Sequence, residues 1–95
     1  MSRWLVERRL SESAQRLKRL RADLQVVEEQ MAFLVEAADE ARLRALVSET
    51  PLADHEHHDA QKQADAMARH RSDLVASIGR LETMQDELLD RLVVK

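Results

Sequence analysis

Asp54-His55-Glu56-His57-His58-Asp59 is the stretch of this chain whose residue types and spacing best suit chemistry. On a helix, His55 and His58 lie three apart, Asp54 and His58 four apart, and His55 and Asp59 four apart, so imidazole and carboxylate share faces. Zn²⁺ or Ni²⁺ accepts such donors, which makes His55, His58, Asp54 and Asp59 the candidate metal ligands of a metal-responsive element. A complete, separated set of four ligands is missing, however. Acidic residues also belong in a first helical turn, where they complement the helix dipole. The expectation is therefore a polar helix start with no metal and no cofactor. Other chemistry is harder still to place. The chain has no cysteine, hence no thiolate and no disulfide. It has no glycine-rich phosphate loop and no nucleophile elbow, and Ser11, Ser13 and Ser48 have no local base. The expectation is a protein that is not an enzyme.

The elements that position these residues are legible from composition and period. In 95 residues there is one glycine, Gly79, and one proline, Pro51, too few for the turns of a sheet. Charged residues make up 35% and aromatics 2%, a helix-forming and solvating mix. Two apolar runs mirror each other across Pro51. The first is Val6, Leu10, Leu17, Leu20, Leu24, Val27, Met31, Leu34, Ala38, Ala41 and Ala45, with Ser13 in its one gap. The second is Ala53, Ala60, Ala64, Met67, Leu74, Ile78, Leu81, Leu88 and Leu92, with His57, Arg71 and Gln85 in the remaining places. Steps alternating between three and four put each run on one helical stripe. An all-α fold follows: one domain, residues 1-95, with helix 1 over about 2-47, a tight turn at 48-50 and helix 2 over about 51-94. Ser2 and Thr50 are the expected N-caps, and Pro51 suits the first helical position, where a missing N–H costs nothing.

So short a turn makes the helices antiparallel, and the sustained period makes them a coiled coil. The register that sets Leu10 against Leu88, Leu17 against Leu81, Leu24 against Leu74 and Ala45 against Ala53 puts large against large and small against small. It sets Ser13 opposite Gln85, a polar layer expected to satisfy itself. It also sets Arg42 across from Asp54 and Arg44 across from Glu56, and leaves Arg71 to run its stem along the seam with its head in solvent.

One seam between two helices makes a thin core, and chains of this size are marginal without further burial. Apolar residues flank the seam: Val26, Phe33 and Ala37 with Met84 on one side, and Ala14, Val35, Ala68, Val75 and Leu89 on the other. They widen the stripe beyond the needs of two helices. Val26, Phe33, Val35, Val75 and Leu89 are thus candidate partner-binding residues, and a homodimer packed as a four-helix bundle is the favoured partnership. Trp4 is a candidate anchor for a partner, with cover by Val93 and Val94 as the plainer expectation. Arg3, Arg8, Arg9, Arg16, Lys18, Arg19 and Arg21 crowd the first helix. Glu82, Asp86, Glu87 and Asp90 are expected to answer them from the second helix. A net charge of −3 and the lack of an aromatic stacking platform argue against nucleic acid as the partner.

No apolar run approaches the ~20 residues that cross a bilayer, and the N-terminus lacks a signal-peptide core, so a cytoplasmic protein is expected, with no membrane partner. The stretch Arg44-Ala45-Leu46-Val47-Ser48-Glu49-Thr50-Pro51-Leu52-Ala53-Asp54, with its Ala/Arg-rich flanks, resembles small actinobacterial coiled-coil hairpin proteins. That resemblance implies a fold and carries no activity. A hairpin with an acidic tip also resembles, in architecture, the bacterial factors that enter the RNA polymerase secondary channel, and the tip residues here would be Glu49, Asp54 and Glu56. Function is accordingly expected to be that of a protein-interaction module: an adaptor, scaffold or assembly factor. The alternative is a regulator of a large bacterial machine such as RNA polymerase or the ribosome.

Overall fold

The computed structural model describes residues 2–93, which form two α-helices and no strand. Helix α1 spans Arg3–Ser48 and helix α2 spans Pro51–Val93. Position 94, included in the sequence-based bound of helix 2, lies outside the described residues. Each helix starts at a hydroxyl cap. The Leu5 N–H donates to Ser2 Oγ at 3.2 Å, and the Ala53 N–H donates to Thr50 Oγ1 at 3.2 Å, so each cap satisfies one of the free amides of a first turn. Pro51 follows Thr50 as the first residue of α2.

The end of α1 holds something the sequence did not signal. Glu49 has φ 51°, the left-handed region, and its N–H donates to the Ala45 carbonyl at 3.1 Å. This is the left-handed helix cap in which glycine is the usual residue. Here a glutamate carries the positive φ, with its Cβ crowding the carbonyl that follows.

The chain divides into two compact units, each drawing on both helices. One comprises Met1–Leu24 and Asp73–Lys95; its buried side chains are Val6, Ser13, Leu17, Leu74, Ile78 and Leu88. Arg21 of α1 reaches Glu82 of α2 within it, Nη2 to Oε2, at 3.3 Å. The other unit comprises Gln25–Ser72, and its buried side chains are Val27, Ala38, Ala41, Ala45, Ala53 and Ala64. There Arg71 of α2 approaches Glu28 of α1 at 4.0 Å.

Burial follows the heptad stripes closely. Every position of the α1 stripe, from Val6 to Ala45, is buried or half-buried, and every other described position of α1 is exposed. In α2 the stripe positions are again buried or half-buried, and only Ala68 and Ser77 join them. The Arg71 side chain is 42% exposed, with its stem on the stripe and its guanidinium toward Glu28.

The polar layer differs from expectation. Ser13 is buried, but its hydroxyl donates to the Leu10 carbonyl of its own helix at 2.9 Å rather than to Gln85. A serine inside a helix has a carbonyl one turn back always within reach, whereas a cross-helix partner must be positioned by packing. Among the described residues no buried side-chain polar atom lacks a partner.

Candidate protein-interaction surface

The histidine segment forms the first turns of α2. There the 3.6-residue repeat brings His55 to Asp59, Nε2 to Oδ2, at 3.2 Å. The His57 and His58 rings stand 6.2 Å apart and tilted by 36°. His57 is half-buried on the stripe while Asp54, His55, His58 and Asp59 are exposed. Among the described residues no group of three or more His, Asp or Glu side chains is gathered as a metal site would require.

The charges expected to face one another across the turn do not pair. Among the described residues Arg42 and Arg44 take part in no ion pair with Asp54 or Glu56, and the acid of the segment that has a basic partner is Asp59, with His55. Exposed side chains in water gain too little from pairing to hold a rotamer, so facing positions on a wheel need not become contacts. Glu49, Asp54 and Glu56 are exposed and, among the described residues, have no ion pair.

The basic segment of α1 is only partly answered. Arg3 pairs with Glu7 at 3.0 Å and Arg8 with Glu12 at 3.1 Å, both one turn along the same helix. Of the four acids expected from α2, Glu82 alone forms an ion pair among the described residues, with Arg21. Arg9, Arg16 and Arg19 have none among the described residues, and they line a groove of about 350 Å³ together with Ser13, Leu81 and Met84. Met84, expected to flank Val26 and Phe33, thus belongs to this basic groove.

Trp4 corrects another expectation. It is 63% exposed, and so is Val93 at 77%; Val94 lies outside the described residues. Its contact is with Arg8, whose guanidinium carbon sits 5.5 Å from the ring centroid, one turn along α1. A guanidinium four residues away is a local partner that needs no help from the end of α2.

The apolar flanks stay open. Val26, Phe33, Val35, Val75 and Leu89 are all exposed, Phe33 most of all at 76%. Val35 lines a second groove, of about 310 Å³, with Met31, Ala32, Glu28 and Arg71. A further group was missed in the sequence. Leu43, Leu46, Val47 and Leu52, within ten residues around the turn, are exposed as well. They lie off the stripe, where periodicity does not register them; their signal in the sequence is four large aliphatics beside Thr50-Pro51.

Comparison with family models, with curated proteins and with solved structures returned no match.

What the arrangement can do follows from its chemistry. The grooves are open strips lined by arginine, methionine and aliphatic carbon, with Glu12 and Ser13 in the first and Glu28 in the second. In interfaces generally, large apolar side chains supply contact area and charges set the choice of partner. Among the described residues no helix is long and apolar enough to cross a membrane.

Proposed function

We propose that this chain is a non-enzymatic protein-interaction module, an adaptor or assembly factor. Its two helices pair antiparallel as a coiled-coil hairpin, and two copies associate into a four-helix bundle. The observation that carries this reading is the contrast between a core confined to one stripe per helix and the large apolar side chains left outside it, Phe33 at 76% exposure foremost. Burying one such side chain contributes on the order of 2 kcal/mol, so a handful of them rivals the stability of a small domain.

The antiparallel pairing is supported by the make-up of each unit, which joins the first part of α1 to the last part of α2 and the rest of α1 to the start of α2. It is supported too by the ion pairs: Arg21 reaches Glu82, while Glu28, further along α1, meets Arg71, earlier in α2. Replacing Leu10→Cys and Leu88→Cys in this cysteine-free chain tests it directly. An intramolecular disulfide forms under mild oxidation if the two positions face each other, and its failure to form rules out the register. Sedimentation equilibrium at micromolar concentration tests self-association. The expected mass is about twice the 11.0 kDa of one chain, and a mass of 11.0 kDa throughout removes the homodimer.

One observation favours a second reading, that the turn probes a large bacterial machine such as RNA polymerase or the ribosome: among the described residues Asp54 and Glu56 are free of Arg42 and Arg44, the arginines expected to mask them, and Glu49 is exposed beside them. Polymerase or ribosomal proteins retained from a lysate by the wild-type chain, and lost when the three acids become alanine, would select this reading over the first.

A further inference from the structure

Two exposed features of opposite character are left over, one in each unit. In the unit of Met1–Leu24 and Asp73–Lys95, Arg9, Arg16 and Arg19 have no ion pair among the described residues and stand along a groove of about 350 Å³ whose other walls include Leu81 and Met84. Glu12 also lines it, but that carboxylate is held by Arg8 at 3.1 Å. In the unit of Gln25–Ser72, the turn presents Leu46, Val47 and Leu52 at 63%, 85% and 67% exposure, with the acids Glu49, Asp54 and Glu56, which have no ion pair among the described residues, in the same ten or so residues. From this we infer that the turn of one copy docks in the arginine groove of a second copy. The inference rests on the self-association proposed above and names the surfaces that carry it.

The two features match in both of their chemistries. Carboxylates of the turn meet guanidiniums, which bind them in forked, directional pairs. Aliphatic carbon from Val47 and Leu52 meets Leu81 and the adaptable thioether of Met84. Each feature also relieves a strain of the other. Arg16 and Arg19 are three apart on one helix face, where like charges repel. Glu49 lies at the C-terminal end of α1, where a negative charge opposes the dipole. Nucleic acid would answer the arginines but not the apolar wall, and no aromatic ring lines the groove to stack a base. An acidic partner of a different sequence would need the same pairing of acid with aliphatic side chains that this chain already carries.

Charge reversal on each side provides the test. The groove variant is Arg9→Glu/Arg16→Glu/Arg19→Glu, and the turn variant is Glu49→Lys/Asp54→Lys/Glu56→Lys. All six positions are exposed, so both chains are expected to keep their helices, which circular dichroism checks. Either variant alone should associate at least about tenfold more weakly than wild type in sedimentation. An equimolar mixture should recover association, because each turn again meets a groove of opposite sign. Raising salt to about 1 M should weaken the wild-type dimer. If charge reversal unfolds either chain, the neutral Arg16→Gln/Arg19→Gln and Glu49→Gln/Glu56→Gln variants should show the same losses, smaller in size. A wild-type monomer overturns both self-association and this docking. A wild-type dimer that both variants leave intact keeps self-association and overturns the docking, as does a mixture that fails to recover. A single-stranded oligonucleotide retained by wild type and lost by the groove variant, with the dimer unchanged, assigns the groove to nucleic acid and overturns the inference.

Discussion

The hydroxyl of Ser13 donates to the carbonyl of Leu10, 2.9 Å away and one turn back in the same helix. That bond makes the polar residue in the α1 stripe self-sufficient. Within α1 the Leu10 carbonyl already accepts an amide of the following turn, so losing the hydroxyl orphans nothing. Ser13→Ala is therefore expected to be neutral or to stabilise by up to about 0.5 kcal/mol, through alanine's better helix propensity. Urea unfolding checks this. A loss of more than about 1 kcal/mol would mean that the hydroxyl has a cross-helix role after all.

The turn holds two residues whose replacement should act in opposite directions. Glu49 carries φ 51° with a side chain that disfavours it, so Glu49→Gly should stabilise by about 0.5–1 kcal/mol, reduced by glycine's extra freedom in the unfolded chain. Thr50→Ala should destabilise by about 1 kcal/mol, because the Ala53 N–H loses its cap. Denaturation midpoints of the two variants should fall on either side of wild type.

Leu17 and Val47 should separate core from surface. Leu17 is 2% exposed, and truncation to alanine leaves a void between two helices that can only partly close, a cost of about 2–4 kcal/mol. Val47 is 85% exposed, and Val47→Ala should change the stability of the free chain by less than about 0.5 kcal/mol. Thermal unfolding in dilute solution reads both. A large loss at Val47 would place that side chain in a core.

Trp4 is a ready reporter. Its 63% exposure predicts solvent-like fluorescence emission and efficient quenching by acrylamide in the folded chain. Arg8→Ala should alter the emission by removing the cation above the ring while costing no more than about 1 kcal/mol. Blue-shifted, protected emission that persists at dilution would show the ring to be buried.

The stripe could be read directly because burial along α1 and α2 follows a one-dimensional rule: a position's place in the repeat decides whether it lies inward. The caps at Ser2 and Thr50 were legible for the same reason, since cap and amide lie within three residues. Candidate surfaces were less so. The repeat points to Val26, Phe33, Val35, Val75 and Leu89 beside the stripe, which are exposed, but says nothing of Leu43, Leu46, Val47 and Leu52, whose exposure depends on how the chain turns.

Residue order alone thus determined the helical class, the break at Thr50-Pro51 and the inward stripe, all of which arise from interactions between near neighbours. Only the folded chain decided that Ser13 bonds to its own helix and that Glu49 takes a left-handed conformation. Only there do Arg21 and Arg71 reach acids across the helices while, among the described residues, Arg9, Arg16, Arg19, Arg42 and Arg44 have no ion pair. The reason is physical. A period says which way a side chain points, but a long polar side chain has several partners within reach, and which one it takes depends on distances of a few ångströms that packing alone sets.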